Sequence, residues 1–267
     1  MQGNLHGTVT LFEEEASAPH PEFIRVWCVL HQIALPVKDA YESIDGGAWI
    51  LSTFRKIAHL RRQVNWMVRI GSKCPYLALT RWLSMGSFCD WVYDHRVQII
   101  QHYLESPHES EPDDRWWLTT IAVKVITSPI NIMVISSQGR KIILAEQMAK
   151  LDQLIVNLQN LTGSEGPHGN EIEGEDDNSI LVGAFSITLV NVENYLKDLG
   201  VFALGKYNAL AEQEGFDILQ YNENIGRMIC KILNGIYHSN PIRDKDNNPI
   251  YADPPACTPQ VDLRTTP

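Results

Sequence analysis

The stretch FRKIAHLRRQVNWMVR, residues 54–69, decides how the chain reads. Phe54, Ile57, Leu60, Val64, Met67 and Val68 recur at spacings of three and four, which predicts one helix with a single buried face. The opposite face then carries Arg55, His59, Arg62, Trp66 and Arg69. No acid occurs between Arg55 and Lys73, so this face is a cluster of cations. Phosphate neutralisation needs clustered Lys and Arg on one side. An ordinary solvated helix face fits the same residues.

The same period extends outward in both directions. Residues 76–104 read as a helix or helix pair broken near Gly86. Residues 115–127 read as helical. Ser128-Pro129 then fits the start of a new helix, with Pro at its first position. Its apolar residues run from Ile132 through Ile142, Leu151 and Leu158 to about Leu161. Residues 180–199 and 212–237 read as two more helices. Strand signals are few, and the best is Phe23-Ile24-Arg25-Val26-Trp27, bounded by Pro19 and Pro21. The fold is therefore expected to be mainly α, with a helical domain over 36–237. From 238 onward the chain is rich in Pro and poor in apolar residues, which predicts a disordered tail.

Composition bounds the function. The 267 residues hold 22 Lys+Arg against 32 Asp+Glu, a net charge of −10, with 44% hydrophobic and 20% charged residues. That excludes a wholly disordered chain. No apolar run approaches the ~18 residues of a membrane span. Met1 to Glu15 lacks the basic start and apolar core of a secretory signal. Cys28, Cys74, Cys89, Cys230 and Cys257 are scattered, so a reducing compartment is expected rather than a disulfide framework. Charge is uneven along the chain. Residues 51–98 hold eight cations against Asp90 and Asp94, a local balance of +6. The acidic runs ESPHESEPDD (105–114) and GSEGPHGNEIEGEDDNS (163–179) read as exposed loops.

Three groups of residues could carry chemistry. Cys28 and His31 have the spacing of a zinc-ligand pair, but a structural zinc needs four ligands and no second pair follows. The other reading is a buried Cys and a His that caps the next helix, and no metal or other cofactor is expected. Arg81 beside Trp82 suits a nucleic-acid contact, guanidinium on phosphate and indole stacked on an unpaired base. Residue types alone favour the other reading, Trp82 packed in the core with Leu79, Leu83 and Trp91, since large aromatics are usually buried. The third group is the basic face of Arg55, Arg62 and Arg69. Phosphate-binding glycine loops, nucleophile elbows and His-Glu-x-x-His are absent. Asp113-Asp114 and Asp176-Asp177 fall in the acidic loops, where two-metal chemistry has no rigid support.

Two blocks together resemble a known family. Trp27-Cys28-Val29-Leu30-His31-Gln32-Ile33-Ala34-Leu35 is similar to the Cys-x-x-His-x-x-x-Leu motif of hAT-type transposases. About fifty residues later, Leu79-Thr80-Arg81-Trp82-Leu83-Ser84-Met85 resembles that family's Thr-Arg-Trp-x-Ser block. The opening Met1-Gln2-Gly3-Asn4-Leu5-His6-Gly7 is similar to the stretch after the family's second catalytic Asp. The resemblance covers residues 1 to about 105.

It implies a short remnant of an RNase H-like α/β core over 1–35, followed by the family's helical insertion. It makes Trp82 the base-stacking residue with Arg81 on phosphate, and places Cys28 and His31 at the core–insertion junction. Two of the family's catalytic acids would precede residue 1, and the block carrying the third is not recognisable. The expectation is thus a truncated, catalytically inactive, transposase-derived protein of the nucleus, binding DNA weakly and with sequence tolerance. No membrane and no small-molecule substrate are expected. A protein partner or homo-oligomer remains open. The alternative is a helical protein-interaction module with an acidic surface, placed in the cytoplasm.

Overall fold

The computed structural model describes residues 25–26, 29–76, 84–137, 144–168, 178–239 and 242–243. The architecture is mainly α. The order is β1 (Arg25–Val26), α1 (Val29–Ser43), a 3-10 turn (Ile44–Gly47), α2 (Ala48–Arg62), α3 (Val64–Arg69), α4 (Ser84–Asp94), α5 (Arg96–Glu105) and α6 (Asp114–Ser136). Then follow α7 (Leu144–Thr162), β2 (Ser179–Val182), β3 (Phe185–Thr188), α8 (Leu189–Lys197), α9 (Val201–Glu212), α10 (Ile218–Tyr237) and β4 (Ile242–Arg243).

Two long helices organise the core. α10 starts where the Asp217 side chain accepts from the Gln220 N–H at 2.9 Å. It buries Tyr221, Ile225, Met228, Ile229, Ile232, Leu233 and Ile236 in one stripe. Against it lies α1, whose Ile33, Val37, Ala40 and Tyr41 are all fully buried, as is Ile44 just beyond its end. The two backbones approach so closely that a Cβ on Gly235 would fall onto the Pro36 ring. α6 starts where the Asp113 carboxylate accepts from the Trp116 N–H at 2.7 Å, satisfying an otherwise orphaned donor. Among the described residues α6 is the one helix long and apolar enough to cross a membrane. It packs against α4, α7 and α9 and buries residues all round, from Trp116 to Val134. Several of its buried polar atoms are paired: the Trp116 indole donates to Thr53 Oγ1 at 2.9 Å, and Thr119 shares a bond with Tyr221.

Several expectations need correcting. α6 does not end before Pro129 but runs through it to Ser136. A proline there removes one ladder bond and costs about 3 kcal/mol. Burial of Ile126, Ile130, Met133 and Val134 offsets that loss. The break expected at Gly86 falls instead at His95, between α4 and α5. Gly86 lies inside α4, where a Cβ would meet Thr127 Cγ2 at 2.7 Å and the Asn131 amide, so its bare Cα lets α4 and α6 touch. Residues 180–188 form no helix. They make an antiparallel hairpin with Ile180 opposite Ile187, turning at Gly183-Ala184 with Gly183 at φ +60°. A glycine at the first position of a two-residue loop is the local signal for such a turn. The tail is not unstructured throughout, because Ile242 and Arg243 pair antiparallel with Val26 and Arg25. Residues 244–267, and the order expected of them, lie outside the described residues. So do residues 1–24, which include most of the expected core remnant.

Candidate nucleic-acid interface

α2 begins after a sharp reversal. Asp45 (φ +51°), Gly46 (φ +61°) and Gly47 (φ +88°) turn the chain, and Asp45 is held by Arg115 and by the Asn224 amide at 3.3 Å. α2 then presents Trp49, Ile50, Thr53, Ile57 and Leu60 inward. The helix does not continue through residue 63. Gln63 sits at φ −82°, ψ +61°, and its N–H bonds back to the Leu60 carbonyl at 3.0 Å. α3 restarts at Val64 with a shifted phase. Trp66 is buried at 5% exposure, while Val64 and Val68 stand out at 59% and 74%. The single apolar face expected over 54–68 is thus wrong in its second half. Trp66 meets Trp91 edge-on with ring centroids 6.2 Å apart and lies 5.1 Å from the His102 ring. That aromatic burial outweighs two valines.

The basic face is correspondingly split. Arg55 and Arg62 are exposed. They lie seven residues apart on α2, about two turns, and so share a stripe. The Arg62 Nε–H donates to the Ala58 carbonyl at 3.0 Å. Arg69 belongs to α3 and faces Glu105 at 3.5 Å, with both side chains about half exposed. His59 is not on an open face. The His108 ring stacks on it at 3.8 Å, and Tyr103 lies 5.7 Å away. Trp82, Arg81 and Cys28 lie outside the described residues. His31 falls in the first turn of α1. Among the described residues no three His, Cys, Asp or Glu side chains converge as a metal-holding group.

Lys56 carries no signal in the sequence, yet it is central to this region. It is 5% exposed, and its ammonium donates to the carbonyls of Glu111 at 2.9 Å and Ser110 at 3.3 Å. It also lies 5.6 Å above the Trp116 ring. Burial lowers its pKa, opposed by the nearby carboxylates of Asp113 and Glu111. The acidic run 105–114 is therefore not simply a solvated loop. Its backbone holds a cation, Asp113 caps α6, and Asp114 pairs with Lys206 at 2.6 Å. Asp90 likewise pairs with Lys124 at 3.2 Å.

The loop also closes an imidazole cluster. The His59 pKa is lowered by burial first, then by His108, His102 and Arg62. His102 is lowered by burial and Arg69, with Glu105 acting the other way. The Ser110 N–H donates to His108 Nδ1 at 3.0 Å. The rings stack rather than converge, so the cluster is a packed layer and not a ligand set. Cys74 is buried, and burial pushes its thiol up to about 12, with Arg61 opposing, so it is no nucleophile at neutral pH. Taken together the face offers exposed guanidiniums on a rigid helix and one buried cation beneath them. Comparison with family models, with curated proteins and with solved structures finds no match.

Proposed function

We propose that this chain is a DNA-holding helical domain of the hAT-transposase insertion type. On this reading residues 1–35 are the end of an RNase H-like core, and the chain binds DNA weakly, without sequence preference, and performs no strand chemistry itself. The observation that supports it is the exposed Arg55–Arg62 stripe, lying within a run from Asp45 to Asp90 that contains no acid. Two guanidiniums on one rigid face neutralise phosphates, and the net charge of −10 keeps the attraction weak.

Fluorescence anisotropy with a labelled DNA hairpin and a matched duplex, over a range of salt, tests this. The double variant Arg55→Glu/Arg62→Glu should weaken binding about tenfold at low salt. The slope of log K against log salt should fall by about 2, near 0.9 for each phosphate that is no longer neutralised. Trp82→Ala should cost more on the hairpin than on the duplex, because stacking needs an unpaired base and is worth ~1–3 kcal/mol. An unchanged salt slope in the double variant removes the reading.

A further inference from the structure

A second feature of the basic region lies outside the Arg55–Arg62 stripe. Where α3 ends, the chain reverses at Gly71 (φ +65°) and runs back alongside α3 through Ser72, Lys73 and Cys74. Between the two lies a half-open groove of about 360 Å³. Val64, Met67, Val68 and Cys74 line it together with the cations Arg61 and Lys73. That volume is at the low end of ligand pockets, which run ~300–1,000 Å³. It holds a few large apolar side chains, not a whole helix.

The walls are pinned by hydrogen bonds. The Gly71 and Ser72 N–H groups bond to the carbonyls of Val68 at 3.1 Å and Met67 at 3.2 Å, closing the end of α3. The Trp91 indole donates to Ser72 Oγ at 2.7 Å, and Arg61 donates to the Cys74 carbonyl at 3.0 Å. The groove is therefore preformed, which lowers the ordering cost of any occupant.

We propose that this groove docks an acidic amphipathic helix of a protein partner, its apolar side chains entering between Val64 and Val68 and its carboxylates meeting Arg61 and Lys73. Three observations select that occupant. Val64 and Val68 are large apolar residues left 59% and 74% exposed beside a cavity, the arrangement of a helix-in-groove anchor site. Arg61 and Lys73 are cations, and among the described residues neither is ion-paired with a carboxylate. Glu105 already faces Arg69. A lipid surface is disfavoured because the apolar residues flank a concavity, whereas insertion needs a protruding apolar ridge. A second copy of this chain is disfavoured because its acidic runs, 105–114 and 163–179, hold a single large aliphatic side chain between them, Ile172. The proposal is independent of the DNA reading. Arg61 lies about 100° around α2 from Arg62, so the groove and the stripe are separate surfaces.

The test is selection of a displayed random-peptide library of about 16-mers on the full chain, long enough for ~24 Å of helix. The selected peptides are then synthesised with a fluorescent label and titrated. Enriched sequences should combine apolar residues at spacings of three and four with a net negative charge. Val68→Glu and Lys73→Glu, both at exposed positions, should each weaken these peptides about tenfold, with unchanged circular dichroism and melting. Arg55→Glu/Arg62→Glu should leave peptide binding within about twofold while it lowers the DNA salt slope. Enrichment of basic or neutral peptides overturns the proposal, as does absence of enrichment. So does a Val68→Glu variant that binds the peptides normally. Displacement of the peptides by single-stranded DNA that itself binds Val68→Glu poorly reassigns the groove to nucleic acid. Binding to anionic vesicles that depends on Val68 reassigns it to lipid.

Discussion

α10 and the α2–α3 pair carry the same apolar spacing, yet they end in opposite states. In α10 every residue of the stripe from Tyr221 to Ile236 is buried. In α2–α3 the stripe is buried as far as Leu60 and then loses Val64 and Val68 to solvent. The difference is one residue, Gln63, where the ladder stops. Burying an aromatic side chain of ~200 Å² at ~25 cal/mol/Å² contributes about 5 kcal/mol. Two buried valines contribute about 2 kcal/mol each. A break that exchanges two valines for Trp66, and adds its contacts to Trp91 and His102, comes out slightly ahead. A periodic pattern thus says that a buried face exists. It does not say which competing residue claims the core.

The comparison breaks first on the core side. Trp116→Ala should be the most damaging change, about 3–5 kcal/mol, because it opens a cavity and leaves Thr53 without its indole donor. Urea unfolding followed by circular dichroism measures it. A loss below about 1 kcal/mol would place Trp116 outside the cooperative core. On the basic side Lys56→Met sharpens the contrast between one cation and its neighbour. It should cost about 1–3 kcal/mol, since the carbonyls of Ser110 and Glu111 lose their donor. Arg55→Met, one residue away and exposed, should be nearly neutral.

Acid should act on the imidazole layer of His59, His102 and His108. His59 and His102 have folded pKa values below the ordinary ~6.5. As pH falls through that value the unfolded chain takes up protons that the folded chain resists, so stability present above it is lost below it. The melting temperature should therefore be lower at pH 5.5 than at 7.5, and His59→Gln should flatten that dependence. A melting temperature that rises with acid would reverse the sign. The smallest effect belongs to Arg69→Ala. Its pair with Glu105 is long and half exposed, so urea unfolding should show no measurable loss of stability.

Much of the helical architecture is legible in the sequence because caps and periodicity agree. α10 has a strong apolar stripe and an Asp217 cap, and its end at Tyr237 matches the expected one. The hairpin is hidden because Ile180 to Leu199 contains enough apolar residues to satisfy a helical template, and the Gly183-Ala184 turn is a weaker local signal than that period. Pro129 misleads for a different reason. Proline is a strong local punctuator, but here tertiary burial on both sides overrides it. At the candidate interface Arg55 and Arg62 are legible as exposed cations on one face. Lys56 is not, because nothing local distinguishes a cation that points into a loop backbone from one that points into water. The partner that buries it, residues 110–111, is more than fifty positions away.

The packing of α1 on α10 also bears on how the chain is made. The Asn224–Asp45 bond that fixes the end of this contact joins residues 179 apart. At ~5–20 residues per second, α1 leaves the ribosome roughly 10–40 s before its partner exists. For that interval Ile33, Val37, Tyr41 and Ile44 have no final surface to cover them. Topologies closed by such distant pairings fold slowly and expose apolar surface while they wait. The nascent chain should therefore depend on chaperones more heavily than its helical content alone would suggest.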